Sequence, residues 1–351
     1  MTGNGTDGAD TVPAQGKAGG VDARGSAADG VTGTRAGAGA GGADGPPVPG
    51  GWLRVVGLGP GGAGLVTPEV SETLRTATDA VGYGPYLARV PARSGLRCHA
   101  SDNRVELERA AAALRLAAEG RRVAVVSAGD AGVFGMAAAL FEAMERGPVS
   151  WREIDLAVLP GVSAMFAVAA RAGAPLGHDF CAISLSDNLK PWALVEHRLR
   201  LAAEAGFTVA LYNPISRARP WQLGRAFELL REVLPAVIPV IFATAVSRAD
   251  ERVVVTTLGE ALPAMADMRT LVMVGTAETR LLPRADGGSW VYAPRSAPDS
   301  GPASLAGDAA QSAVAPGEDA APASARVTVP GGSTGAGQAT EPAAAGEDAA
   351  P

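Results

Sequence analysis

Between residue 52 and about residue 294 the chain alternates between two patterns. Short apolar, often β-branched runs fall at 53–56, 80–83, 123–127, 156–159, 182–185, 208–212, 237–243, 253–257 and 270–274. Most are separated by longer Ala-, Leu-, Glu- and Arg-rich stretches of helical character. Strands alternating with helices predict an α/β fold with largely parallel sheets. Thr67-Pro68-Glu69 places a cap residue before a proline suited to the first helical turn. Asn103-Arg104-Val105-Glu106 reads as a capping box opening a helix to about Glu119. Asn188, Lys190 and Pro191 precede another that runs through Arg200 to Ala205.

The ends break this rhythm. Residues 1–50 and 297–351 contain no aromatic residue and consist largely of Gly, Ala, Pro, Ser, Thr and Asp. Such segments bury too little apolar surface to offset the entropy of ordering, so both are expected to be disordered tails. They also distort the charge. The 351-residue chain carries −6, but the first tail holds five acids and three bases and the second holds seven and one. That leaves 24 acids and 26 bases in the middle. A balance of about +2 does not indicate nucleic-acid binding, and it is compatible with an anionic small molecule. A length of 351 residues suggests about two domains. The boundary is expected at Leu159-Pro160, giving segments 51–159 and 160–296.

Other features narrow the class. Cys98 and Cys181 are too few for a disulfide scaffold or a zinc site. His99, His178 and His197 show no metal-ligand spacing, and no metal is expected. The longest apolar stretch, 233–246, contains Pro235 and Pro239 and is too short to span a membrane. No signal peptide is visible, so the expected location is the cytoplasm, without membrane association.

Gly57, Gly59 and Gly62 spell G-x-G-x-x-G directly after the first apolar run. A dinucleotide site needs a helix opening at that loop, but the first helix cannot begin before about Pro68. It also needs an acid at the end of the second strand, where Tyr83-Gly84-Pro85 stand; Asp79 lies at the wrong end. Further glycine- or proline-bearing loops follow later strands: "SAGDAGVFG" (127–135), "PGVSA" (160–164) and "LYNPISRARPWQ" (211–222). Ligands of open α/β sheets bind outside the carboxyl ends of strands, where glycine lets backbone approach closely. Asp130, beside Gly129 and Gly132, is either a ligand contact or an ordinary Asx turn.

The set "VGLGPGGAGLVTPE", "GDAGVFG", "LPGVSA" and "ALYNP", in this order, resembles the tetrapyrrole methylase family over about 53–280. The segments "SDNRVELERA", "ISLSDNLKPWALVEHRL" and "ALYNPISRARPWQL" resemble those members that methylate precorrin-3B at C17 in cobalamin synthesis. Two departures are Ala131, where many members have proline, and Lys190, where threonine is common. The resemblance implies two α/β domains, with S-adenosylmethionine in the cleft between them, in a homodimer. It implies methyl transfer to precorrin-3B, or its cobalt form, with ring contraction to precorrin-4. The donor site would comprise Pro60, Ala128, Gly129, Asp130, Val133, Phe134, Ser163, Ala164, Tyr212 and Asn213, with Ala243 and Thr256 as weaker additions. Gly59, Gly61, Asp102, Arg104, Lys190, Arg217 and Arg219 would face the tetrapyrrole, the basic residues suiting its carboxylates. Asp102 and His99 are the candidates for assisting catalysis. Rival readings are a methylase of another carbon, a tetrapyrrole-binding regulator without catalysis, and a nicotinamide dehydrogenase. The last lacks its ribose-binding acid.

Overall fold

The computed structural model describes residues 46–296. The two expected tails lie outside the described residues except at 46–50. There the Val48 N–H donates to the Ala118 carbonyl at 2.9 Å, so packing begins before residue 51.

Strands β1 (Trp52–Gly57), β2 (Asp79–Tyr83), β3 (Arg97–Ser101), β4 (Arg122–Ser127) and β5 (Leu156–Leu159) form one sheet in the order β3-β2-β4-β1-β5. Every pairing in it is parallel. Gly57 lies opposite Ser127, and Val56 opposite Leu159, so these strands end level at one edge. Helix α1 (Pro68–Thr76) is capped by the Thr67 side chain, which accepts from the Val70 N–H at 3.3 Å. With the short α2 (Gly84–Leu87), it places Val70, Leu74 and Leu87 against Val56, Ala80, Ala124 and Val126. On the other face α3 (Glu106–Ala118) and α4 (Met136–Arg146) pack Leu114 and Leu140 against Leu53, Val55, Val123 and Val125. Both faces are covered, which explains why these strands read as continuous apolar runs.

The Asn103 capping box does not form. Helix α3 starts at Glu106, with Val105 at its cap position and no side-chain cap bond. Arg104 takes a left-handed φ of 70°, and its N–H is shared by Asn103 Oδ1 (3.1 Å) and Glu106 Oε1 (3.2 Å). The chain therefore makes a tight turn before the helix instead of entering it at Asn103.

The second sheet is mixed. Helix α5 (Ala164–Ala172) leads through the two-residue β6 (Gly173–Ala174) to β7 (Phe180–Ser184), α6 (Trp192–Glu204), β8 (Thr208–Tyr212) and α7 (Gln222–Val233). Strands β9 (Pro239–Thr244), β10 (Arg252–Thr257) and β11 (Thr270–Val274) follow. The order is β10-β9-β11-β8-β7. Only β7 and β8 are parallel; the other three pairings are antiparallel. Leu199, Leu223, Phe227 and Leu230 cover one face, over Leu211, Phe242 and Val272. Met165, Val168 and Ala172 cover the other, over Ala210, Ile241 and Met273. A hairpin of β12 (Arg280–Pro283) and β13 (Ser289–Tyr292) pairs with β6 in a small third sheet. Strands β3, β6, β12 and β13 have no counterpart in the sequence reading. No helix among the described residues is long and apolar enough to cross a membrane.

Candidate active site

The carboxyl ends of β1, β4 and β5 bring three glycine-bearing loops into backbone contact. Gly59 and Gly129 exchange backbone hydrogen bonds of 3.1 and 2.9 Å. Gly57 and Gly161 complete the contact. A Cβ on Gly57 would stand 2.6 Å from the Gly129 carbonyl oxygen, and one on Gly161 would strike the Gly129 and Gly57 carbonyls. These two glycines are needed because peptide groups of neighbouring loops touch there. Gly59 has φ 65°, and a side chain there would meet the Leu65 carbonyl at 2.7 Å.

Asp130 joins two of these loops. Its Oδ1 accepts from the Gly132 N–H at 2.7 Å, the Asx turn open to it from sequence. Its Oδ2 accepts from the Gly161 N–H at 2.9 Å. Both carboxylate oxygens thus hold backbone. Val133 N–H donates to the Asp130 carbonyl at 3.3 Å, and Phe134, with φ 51°, carries a half-exposed ring.

The second sheet adds a wall of side chains. Tyr212, ending β8, places its hydroxyl 2.5 Å from Ser163 Oγ and accepts from the Met165 N–H at 3.1 Å. That ties β8 to the start of α5, where Ser163 is buried. Burial pushes the Tyr212 phenol pKa up, against the hydrogen bonds from Ser163 and Met165, and Asp130 adds to the rise. The phenol is therefore neutral at ordinary pH. Its ring centroid lies 5.1 Å from that of Phe134. Asn213, at φ 52°, donates from Nδ2 to Ser184 Oγ at 2.9 Å. The buried Gln222 donates to Asp187 at 3.1 Å, and Trp192 and Trp221 meet edge to face at 4.9 Å.

The fold thus brings Pro60, Ala128, Gly129, Asp130, Phe134, Ser163, Ala164, Tyr212 and Asn213 to loops at the carboxyl ends of β1, β4, β5 and β8. Ala243 is buried beneath, in the cluster that includes Met165, Ala210 and partly buried Tyr212. Thr256 is not brought in: it shares a row of the sheet with Val240, Val274 and Val209, at the other end of β8 from Tyr212. Its hydroxyl donates to Glu260 at 3.1 Å.

Among the other candidates, Asp102 follows β3 at the same edge as the glycine loops, and its carbonyl accepts from Arg109 Nη2 at 2.5 Å. Arg104 is exposed in the adjoining turn. Lys190 lies in the loop before α6; partial burial and the nearby Arg198 lower its pKa. Arg217 and Arg219 sit on a tight turn closed by Ser216–Arg219 backbone bonds of 3.1 and 3.0 Å. His99 points to the opposite end of its sheet. Its Nε2 lies 2.7 Å from Asp79 Oδ1, where Arg121 also binds the carboxylate at 2.7 and 3.0 Å. Burial works to raise the Asp79 pKa, but hydrogen bonds from His99, Thr78 and Arg121 outweigh it and hold the carboxyl below its usual range. His99 therefore serves a buried ion cluster away from the loops. No group of acidic, His or Cys residues among those described is arranged to hold a metal.

Two arginines escaped the sequence reading. Arg109 is buried and braces the turn after β3, donating to Ser101 Oγ (2.7 Å) as well as to Asp102. Arg89 reaches under the first glycine loop, donating from Nη2 to the Leu58 carbonyl (2.5 Å) and the Gly59 carbonyl (3.0 Å). Arg109 lies within the segment "SDNRVELERA", where it read as an ordinary residue of a charged helix, and Arg89 stood in no recognisable motif.

The family model of Tetrapyrrole (Corrin/Porphyrin) Methylases matches residues 53–262, and the chain belongs to that family. It is 59% identical over 245 residues to a precorrin-3B C(17)-methyltransferase of Sinorhizobium sp, covering 70% of this chain and 96% of the relative. It is 40% identical to a probable cobalt-factor III C(17)-methyltransferase of Salmonella typhimurium, covering 65% of this chain and 93% of the relative. The crystal structure of the methyltransferase CobJ matches with a TM-score of 0.66 at 56% identity, covering 70% of this chain and all of that one.

Proposed function

We propose that this chain methylates precorrin-3B at C17, with ring contraction to precorrin-4, in cobalamin biosynthesis. The observation that carries the reading is the meeting of the glycine loops with Ser163 and Tyr212, in a chain 59% identical to a C17-methyltransferase over almost that relative's full length. The residues fit S-adenosylmethionine. Ala128, Gly129 and Ala164 offer backbone without bulk, the half-exposed Phe134 ring offers an apolar face, and the hydroxyls of Ser163 and Tyr212 offer polar contacts. When bound, the donor supplies a methyl group on a positively charged sulfur. The protein's own task is to hold donor and substrate in line and to exclude water, because positioning supplies much of the barrier reduction in such a transfer. Asp130 and the Tyr212 hydroxyl keep the walls of the site fixed, and Arg104, Lys190, Arg217 and Arg219 are placed on loops where they meet carboxylates of the substrate. Segments 51–159 and 160–296 act as two domains around the donor, and the enzyme works as a homodimer in the cytoplasm.

Similarity to the Salmonella relative favours a second reading, in which the substrate carries cobalt. The test is to incubate purified protein with S-adenosylmethionine and either metal-free precorrin-3B or its cobalt form, following mass and absorbance. A gain of one methyl with a changed chromophore on the metal-free substrate is expected. Turnover of the cobalt form alone supports the second reading. Methylation of an earlier precursor only would retain the family and reject the carbon assigned.

A further inference from the structure

We propose that Arg89 and Arg248 form a subsite that binds a carboxylate of the tetrapyrrole. This assignment rests on the substrate class proposed above. Both guanidinium groups converge on one short loop. Arg89 Nη2 donates to the Leu58 and Gly59 carbonyls at 2.5 and 3.0 Å, with the Gly61 carbonyl at 3.5 Å. Arg248 Nε reaches the intervening Pro60 carbonyl at 3.4 Å. The stem of Arg248 lies directly over Gly61, so close that a Cβ there would sit 2.5 Å from Arg248 Cγ. Gly61 is thus bare because the Val246 and Ser247 carbonyls, 2.9 Å from where a Cβ would stand, and the Arg248 stem cross it.

The charge of this pair is poorly compensated among the described residues, where the nearby Asp250 carboxylate feels Arg248 only at a distance. Among the described residues neither arginine has an ion-pair partner. Asp250, near Arg248, is bound by Arg269, and Glu251 by Arg171 and the Ser247 N–H. Arg89 Nη1 is buried and finds no protein acceptor. Burial, then the like charge of Arg248, lowers the Arg89 pKa. A guanidinium serving only as a brace for two carbonyls would leave one buried donor unsatisfied and a charge uncompensated, both of which are costly. A carboxylate seated on the exposed Arg248 beside Arg89 would compensate this charge, since its planar fork matches a guanidinium. Tyr86, half-buried beside both arginines and packed edge to face on Tyr83 at 5.3 Å, gives the same spot an aromatic wall. The residues therefore suit a large flat ligand with acidic side arms.

The donor's amino-acid end also bears a carboxylate, so the test separates the two sources. Steady-state kinetics on precorrin-3B are compared for wild type, Arg248→Ala, Arg248→Lys and Arg89→Lys, alongside calorimetry with S-adenosylhomocysteine and a melting curve. The expected result is a KM for precorrin-3B raised at least tenfold in Arg248→Ala and Arg89→Lys and partly restored in Arg248→Lys. Affinity for S-adenosylhomocysteine should stay within twofold of wild type in each. Loss of S-adenosylhomocysteine affinity with unchanged precorrin KM would assign the pair to the donor and overturn the proposal. Unchanged KM values, or a fall in both affinities together with the melting temperature, would leave the pair as a brace and overturn it equally. These outcomes presuppose a wild type that methylates precorrin-3B; if it does not, the functional reading fails and the subsite falls with it.

Discussion

The loops of the first sheet and those of the second meet at the candidate site but are built from different material. The first set meets backbone to backbone: Gly57, Gly129 and Gly161 touch through peptide groups, and Asp130 ties them by accepting two N–H groups. The second set meets through side chains: Tyr212 with Ser163, Asn213 with Ser184, Gln222 with Asp187. At Gly57 and Gly161 the peptide groups in contact leave no room for even a methyl group. Side-chain pairs can be exchanged for others of similar size at modest cost. The first wall is therefore expected to resist substitution, whereas the second is where selectivity can be adjusted.

Gly161→Ala should show the largest effect. Its Cβ collides with two carbonyl groups that belong to other strands' loops and cannot move independently. A stability loss of about 3 kcal/mol is expected, at the upper end for overpacking, read from urea denaturation. A midpoint equal to wild type would refute the backbone contact. Gly59→Val comes next. A branched residue at φ 65° that meets the Leu65 carbonyl should displace the loop and lower kcat/KM at least about 100-fold. Because the clash is with the loop's own backbone, part of the loss should appear as a lower melting temperature.

Asp130→Ala should cost about 1.5–3 kcal/mol, since two N–H groups lose a charged acceptor. Melting temperature and S-adenosylhomocysteine affinity should fall together; lost affinity at wild-type stability would mean that the carboxylate acts on the donor instead. Tyr212→Phe should be mildest, about 1 kcal/mol, and if it cost more than Gly161→Ala the contrast between the walls would be inverted. It also carries a pH signature. The folded phenol titrates above its unfolded value, so folding favours the protonated form. That contribution is complete below about pH 10 and is lost as pH rises above it. The fall in wild-type stability in that range should be shallower in Tyr212→Phe.

What could be read from the sequence follows the same physics. Strands β1, β2, β4 and β8 were legible because both faces are buried, which forces continuous apolar runs such as Val123–Val126. Strand β3 (Arg-Cys-His-Ala-Ser) was not, because it lies at the sheet edge and its residues are mostly exposed. Strands β12 and β13 escaped for a related reason, with Arg280 through Pro283 all exposed. The loops of the site could be located from glycine, proline and strand ends, but not what each glycine does. Gly57 and Gly161 make room for peptide groups, Gly59 for a turn, and Gly61 for the 246–248 segment that crosses it. Such contacts join residues far apart in sequence, and no local pattern records them. For the same reason Arg89 and Arg248, one past α2 and the other after β9, gave no signal. Thr256 fell at the wrong end of the sheet because β10 and β9 run antiparallel, which an apolar run cannot reveal.

The claim that these two walls hold the methyl donor is tested most directly by a crystal structure of the protein with S-adenosylhomocysteine bound. The account predicts the ligand against Ala128–Asp130 and Phe134 on one side, and Ser163–Ala164 and Tyr212–Asn213 on the other. A ligand lodged elsewhere, such as in the cleft of about 490 Å³ at the β12–β13 hairpin lined by Leu282, Arg284 and Trp290, would contradict it.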